Sequence, residues 1–145
     1  MAAGITTGNN NVAIGNSPGS NITAGTENVF IGTSAGASAT DNVDNIAIGH
    51  DAYKASANDG DKNIAIGTGA MKTGDVSGAN NIAIGELSLD DITTGTNNVA
   101  IGSSAGLNLT EAANTIAIGH DAMGAGVTTG TNNIAIGELA LKNVI

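Results

Sequence analysis

The 145-residue chain lacks cysteine, tryptophan and arginine, and it has one tyrosine, one phenylalanine and one proline. The absence of cysteine excludes disulfide frameworks and thiolate-bound metal sites. With so few aromatic side chains, a rounded core loses the residues that normally supply much of its buried area. Apolar residues still make up 41% of the chain. They are almost all Ala, Ile, Val and Leu, which suit thin layers of stacked strands.

Positive charge is also scarce, because four lysines stand against 13 acidic residues, for a net charge of −9. Nucleic-acid binding requires clustered cationic side chains, so nucleic acid is excluded as a partner. No apolar run approaches the ~20 residues of a membrane-spanning helix, and we expect no membrane span. The segment from Met1 to Gly15 lacks the basic and apolar regions of a secretory signal. Any export signal is therefore expected to be removed, unconventional or part of a larger parent chain.

A short motif, Ala-Ile-Gly or a near copy of it, occurs eight times. Its isoleucines recur at a nearly constant interval, at Ile14, Ile31, Ile48, Ile66, Ile84, Ile101, Ile118 and Ile136. The interval is about 17–18 residues, whereas helical repeats need roughly 30 or more residues. The period therefore predicts an all-β, parallel β-solenoid of eight coils in one domain, residues 1–145. Gly49–Ala52 returns as Gly119–Ala122 four coils later, so the coils form two units of four, each of about 70 residues.

Each coil is predicted to contain two short strands and two turns, and the coils to stack at about 4.8 Å into a rod roughly 38 Å long. The main strand alternates, with Val or Ile two residues before each repeat Ile. We predict that these aliphatic residues point inward and stack as a structural core ladder. The ladder is Val12, Ile14, Val29, Ile31, Ile46, Ile48, Ile64, Ile66, Ile82, Ile84, Val99, Ile101, Ile116, Ile118, Ile134 and Ile136.

Asparagine precedes the main strand in seven of the eight coils, and threonine (Thr115) takes its place in the other. Stacked amides can hydrogen-bond along a ladder and to turn backbone. We therefore predict a structural Asn ladder rather than a binding site. Its members are Asn11, Asn28, Asn45, Asn63, Asn81, Asn98 and Asn133.

Small apolar residues fill the remaining strand position, and we predict that they face outward. A solvated strand face would show Thr, Lys, Glu or Ser, so this Ala column is predicted to be a self-association face, with Phe30 as its one bulky exception. An exposed face that merely tolerates alanine is the alternative. The column is Ala13, Ala47, Ala65, Ala83, Ala100, Ala117 and Ala135.

The Val-Ala-Ile-Gly runs, each followed by a small residue, resemble the head repeats of YadA-like trimeric autotransporter adhesins. Asn-Asn-Val-Ala-Ile-Gly strings are similar to phage tail-fibre repeats. The resemblance covers all eight coils and implies a left-handed, commonly trimeric β-roll that works in surface adhesion or receptor reach. The adhesin repeat is shorter than the repeat in this chain, and no ligand-binding residue can be carried over.

No enzymatic site is expected, and neither is a cofactor. His50 and His120 each precede an aspartate, but they lie four coils apart, roughly 19 Å on the strand spacing. They are interpreted as surface histidines. The alternative is a metal site in which the same histidine from three copies of a trimer meets at the axis. The stretches Asp41–Asp44 and Asn58–Asp61 lack the full ligand set of a calcium loop. Solvated turns are favoured there, and calcium remains a minor alternative.

The leading functional hypothesis is a structural or adhesive fibre module of a surface adhesin or phage tail fibre. It would be extracellular, on the cell surface or on a virion, with itself as partner and a receptor or glycan as a further candidate. The alternative is a filament subunit that stacks head to tail as a homopolymer. Ice binding through Thr6-Thr7, Thr93-Thr94 and Thr128-Thr129 is less favoured, because acidic residues break that array.

Overall fold

The computed structural model describes residues 7–56, 60–125 and 130–143. They form a β-solenoid with one parallel sheet of eight three-residue strands in sequence order. The strands are β1 (Val12–Ile14), β2 (Val29–Ile31), β3 (Ile46–Ile48), β4 (Ile64–Ile66), β5 (Ile82–Ile84), β6 (Val99–Ile101), β7 (Ile116–Ile118) and β8 (Ile134–Ile136). The fold class predicted from the repeat is confirmed, and the described residues contain no helix.

Register is uniform along the rod, because each repeat residue pairs with its equivalent in the next coil. Ala65 pairs with Ala83, for example, and Ile66 pairs with Ile84. The shorter and the longer coils therefore pair in the same register in the sheet, and the extra residue of the longer coils lies outside the strands. Coil-to-coil backbone hydrogen bonds continue outside the strands, as from Met71 N to Ser88 O at 3.0 Å.

The predicted second strand of each coil is absent from the described residues. A turn segment takes its place a residue or two after the strand, as at residues 86–91 after β5. This segment repeatedly adopts positive φ, and non-glycine residues also occupy those positions: Leu87 has φ 54° and Leu89 has φ 48°. Alternating left-handed residues curl the chain tightly, which an extended strand cannot do. The left-handed region costs a non-glycine residue roughly 1–2 kcal/mol, so stacking in the rod must hold it there.

The glycine after each strand has positive φ, and in the first seven coils a side chain there would also meet the backbone of the next coil. Gly67 has φ +133°, and a Cβ added to it would lie 2.5 Å from the carbonyl oxygen of Gly85 in the next coil. A side chain would therefore collide with backbone that cannot move aside without breaking the sheet.

The core lies between the strand and the turn segment, and alanines line it from both sides. Ala65 and Ala83 come from the strands, Ala52 and Ala70 come from the turn segments, and all four are fully buried. The large core residues Tyr53, Met71, Leu89 and Met123 extend from the turn segments, at positions where other coils carry glycine. Further large core side chains come from the residues that follow, as with Ile92 beside Leu89 in the same coil.

Candidate interface on the outer face of the sheet

The orientation predicted for the strand residues is wrong, because the Ala column points into the core. Six of its seven members are buried: Ala47, Ala65, Ala83, Ala100, Ala117 and Ala135. Ala13 is exposed in β1, at one edge of the sheet. The physical reason is space, since the strand faces a turn segment across a thin core that admits alanine but not a continuous column of isoleucine.

Phe30 shows how the core accepts a bulky residue in this column. It is fully buried, and a Cβ added to Gly19 or Gly36 would lie within 3 Å of its ring. The two glycines supply the space that the ring occupies. Phe30 is therefore a core residue matched by its neighbours, and not an obstacle on an exposed face.

The residues predicted as the core ladder instead form the outer face of the sheet. This outer face consists of two columns, one of Val or Ile and one of Ile, with every member exposed or half-buried. Ile84 and Ile101, in the middle of the rod, are 37% and 38% exposed. Sixteen β-branched side chains in two straight columns make a flat, continuous apolar surface.

The outer face is large for a surface that stays in water. Eight coils at about 4.8 Å and a width of three residues give a flat area of roughly 400 Å². The largest apolar patch on a typical monomer is about 300–600 Å² and is often functional. Because the core behind it is already complete, these side chains stabilise the single chain less than buried ones would, and they are available to a partner.

Polar residues border the outer face on both sides. The Asn-side rim contains the residue two positions before each strand: Asn10, Glu27, Asp44, Lys62, Asn80, Asn97, Asn114 and Asn132. The His-side rim contains the residue two positions after each strand: Asn16, Thr33, His50, Thr68, Glu86, Ser103, His120 and Glu138. All are exposed except Ser103, which is half-buried. An apolar centre with a polar border is the usual anatomy of a protein–protein interface.

Beneath the Asn-side rim, hydrogen bonds from coil to coil join six of the residues predicted as the Asn ladder: Asn11, Asn28, Asn45, Asn63, Asn81 and Asn98. Each buried amide bridges two coils: Asn98 Nδ2 donates to Asn81 Oδ1 at 3.0 Å and to Ala112 O at 2.6 Å. Asn81 Oδ1 also accepts the backbone N–H of Asn98 at 3.0 Å. The ladder therefore supplies hydrogen-bond partners for backbone groups along one end of the strands, and these bonds use its side-chain amides.

The two His-Asp pairs do not meet, and lysines hold their aspartates. Asp51 is buried, with Lys54 Nζ 3.1 Å and Lys72 Nζ 3.8 Å from its carboxylate. Nδ1 of His50 is also 3.8 Å from the Asp51 carboxylate. Four coils away, Lys142 Nζ lies 2.7 Å from Asp121, and this hydrogen bond lowers the pKa of the Asp121 carboxyl. These carboxylates serve as structural ion-pair partners.

Of the two acidic stretches weighed as calcium loops, Asn58-Asp59 lies outside the described residues. Asp61 Oδ1 accepts the backbone N–H of Val43 at 2.7 Å, which uses this carboxylate to join two coils. Across the described part of the chain, no three His, Cys, Asp or Glu side chains are grouped closely enough to hold a metal ion. No helix in the same residues is long and apolar enough to cross a membrane.

The threonines considered for ice binding are partly engaged in the rod. Thr93 Oγ1 donates to Thr110 O at 3.0 Å, and Thr7 Oγ1 donates to Thr23 O at 2.9 Å. Thr6, Thr128 and Thr129 lie outside the described residues. The threonine hydroxyls with described bonds serve coil-to-coil contacts.

Tyr53 provides a test of the core, because it is the only tyrosine in the chain. Its hydroxyl donates to Gly60 O at 2.6 Å and accepts from Asn63 Nδ2 at 3.2 Å. Burial raises the pKa of Tyr53 from 10.0 to about 12. The folded state thus holds the phenolic proton more tightly than the unfolded state does. The stability this provides is complete below about pH 10 and is lost as pH rises toward 12, by about 3 kcal/mol.

We therefore expect tyrosinate absorbance to appear near pH 12 in the folded protein, and the free energy of unfolding to fall between pH 10 and 12. Tyr53→Phe is the control, because it removes the absorbance and flattens this part of the pH dependence. A tyrosinate signal that rises near pH 10 in a protein still folded by circular dichroism would contradict the buried placement.

The outer face is thus the extended apolar surface of the described part of the chain, and it consists of the residues predicted from the sequence as the core ladder. No protein-family model, no curated protein and no solved structure matches the chain.

Proposed function

We propose that the chain is a non-enzymatic structural module of a surface fibre, and that copies of it pack together through the outer face as a homotrimer. The observation that carries this proposal is the unbroken pair of Val/Ile columns outside an already complete core. The role is mechanical: the assembled rod holds other parts of a fibre at a distance and presents its loops to a receptor or glycan. The proposed location is extracellular, on a cell surface or virion.

A second copy is the occupant that fits the outer face best, because the face is flat, uniform and as long as the rod. Two such faces of roughly 400 Å² bury about 800 Å² in total, which is below the 1,200–2,000 Å² of stable interfaces. Three copies around a common axis bury about 1,200 Å² in total, which is the same roughly 400 Å² per copy before the rims are counted. Area therefore does not choose between a pair and a closed ring of three, and the ring is proposed because the repeats resemble those of trimeric adhesins.

Burial of this face supplies a driving force without any other contact. Full burial of a Val or Ile side chain is worth about 1.5–3 kcal/mol, and the sheet already covers more than half of most of them. If about 0.5 kcal/mol remains for each of 16 positions, each copy gains on the order of 8 kcal/mol before the entropy of association is deducted. Because the gain is distributed along the rod, a fibre with more coils would assemble more strongly.

Light scattering and electron microscopy of the purified protein test this proposal together. The expected result is a discrete particle with three times the chain mass and a length of about 38 Å. A stable monomer at all concentrations would refute self-association through the outer face. Open filaments that lengthen with concentration would instead support the head-to-tail homopolymer.

A further inference from the structure

The two rims carry a charge pattern that depends on the level along the rod. Each coil is numbered by its strand, and its two rim residues lie at the same level of the rod. In coil 3 these residues are an acid on the Asn-side rim, Asp44, and an imidazole on the His-side rim, His50, a combination that no other coil has. At each of the other seven levels at least one of the two rim residues is uncharged, as with Lys62 and Thr68 in coil 4. No level therefore places two like charges on opposite rims.

A closed ring turns this pattern into a contact between copies. When identical rods surround an axis parallel to their length, the Asn-side rim of one copy meets the His-side rim of the next. Closure of the ring requires that equal levels meet, because a stagger would open the ring into a helix. The rim residues of one level are then the residues that face each other across each contact.

We propose that Asp44 of one copy pairs with His50 of the next, and that this pair sets the register and makes the assembly tighten on mild acidification. The inference depends on the proposed self-association and adds its geometry and its regulation. The chain contains an internal comparison, since the equivalent level four coils later has His120 opposite the neutral Asn114. Coil 7 should therefore contribute no such pair.

Both members of the proposed pair are exposed in the single chain. The side chain of His50 is 60% exposed, and its Nδ1 lies 3.8 Å from Asp51 Oδ2, in a carboxylate that Lys54 and Lys72 also contact. His120 has the same kind of neighbour, with its Nδ1 4.0 Å from Asp121 Oδ2, so the two histidines differ mainly in the residue on the opposite rim. Asp44 is exposed on its own rim between Glu27 and Lys62, one coil to each side, whose charges are opposite. Histidine side chains ordinarily gain their proton between about pH 7.5 and 5.5. A protonated His50 would face the Asp44 carboxylate, so the assembled form binds the extra proton better and is favoured at the lower pH.

Disulfide trapping tests the register, because the chain has no cysteine of its own. The double variant Asp44→Cys/His50→Cys is expected to oxidise into covalently linked trimers. Within one chain the two residues lie beyond opposite ends of β3, with their Cα atoms more than about 10 Å apart. A disulfide needs Cα atoms within about 7 Å, so it cannot form within one chain. The matched control Asp44→Cys/His120→Cys is four coils out of register and should stay unlinked.

A cross-link in the variant Glu27→Cys/His50→Cys, with none in the first, would mean a staggered and open arrangement and would overturn the proposal. An assembled protein in which no rim pair cross-links would also overturn it. A protein that is monomeric throughout would refute the proposed function itself, so the two failures are distinguishable.

The pH dependence is measured as the trimer association constant by sedimentation at about pH 7.5 and 5.5. Exposed ion pairs contribute about 1.5- to 5-fold each, so three per ring should tighten assembly by roughly 3- to 100-fold. Asp44→Asn should remove the effect, and His120→Asn should leave it intact. Asn114→Asp, which places an acid opposite His120, should increase it. Equal pH responses in all four proteins would overturn the Asp44–His50 pair.

Discussion

Replacing Ala100 by glutamate is expected to unfold the protein, whereas the same replacement at the adjacent Ile101 should leave the fold intact and separate the copies. The two residues are neighbours in β6 and face opposite sides of the sheet. Ala100 is fully buried and Ile101 is 38% exposed. The pair therefore separates the contribution of the core from that of the outer face within a single strand.

The expected loss at Ala100 is large because the core has neither space nor a charge partner for a carboxylate. An unpaired buried charge costs several kcal/mol, and overpacking adds about 1–3 kcal/mol. Typical domains are stable by only about 5–15 kcal/mol. We expect the circular dichroism of the folded state to be lost, or the melting temperature to fall steeply.

At Ile101 the glutamate reaches water in the single chain, so the melting curve of a dissociated copy should change little. In the assembly the same carboxylate is buried and brought close to its equivalents in other copies. We expect about a 100-fold weaker association or more, measured by light scattering on material that circular dichroism shows to be folded. A folded, assembled Ala100→Glu variant, or an unfolded Ile101→Glu variant, would contradict the orientation of the strand.

Sequence alone established the two-residue alternation of the strand but assigned its faces wrongly. Both faces are apolar, so polarity did not distinguish inside from outside, and the larger side chains were placed in the core. The coil is too narrow for the larger side chains to point inward, because a turn segment lies directly opposite the strand. A sequence signal did exist in the glycines that match Phe30: Gly19 and Gly36 make room for its ring, which only an inward Phe30 requires.

The stacking of the coils and the Asn ladder were predictable, since a fixed period forces equivalent residues to the same place in each coil. The positive-φ turn segment was not, because residues as different as Ser34, Leu87 and Asp121 adopt it. Local propensity disfavours this backbone for most of them, and the coil-to-coil hydrogen bonds override that preference. Its traces in the sequence are the glycines that occupy the same positions in other coils, such as Gly36 where coil 3 has Tyr53 and Gly69 where coil 5 has Leu87.

The ladder itself should be a main source of stability, and Asn81→Ala is expected to destabilise the rod by about 4 kcal/mol. Its side chain donates to Gly95 O at 2.8 Å and to Asn63 Oδ1 at 3.1 Å. It also accepts the backbone N–H of Asn98. Alanine would leave these buried groups without this partner, at about 1–3 kcal/mol each.

Asn21→Ala is the control for this loss, because it removes an amide that is exposed and should change the free energy of unfolding by no more than about 0.5 kcal/mol. Denaturant unfolding of both variants gives the comparison. Equal changes in the free energy of unfolding of the two variants would mean that the ladder adds little to the stability that the sheet provides.

The natural break in the ladder provides the reverse experiment. The backbone N–H of Thr115 donates to Asn98 Oδ1 at 3.0 Å, as the backbone N–H of the asparagine does in other coils. Its hydroxyl donates at 3.4 Å to Ala113 O, two residues earlier in the chain, and does not span to the next coil. In Thr115→Asn the longer amide can reach the next coil as the other members do. We expect it to raise the free energy of unfolding by about 1 kcal/mol, since stacked amides reinforce one another along a continuous column. A loss of stability in this variant would mean that the backbone at coil 7 differs from the other coils enough to exclude the amide.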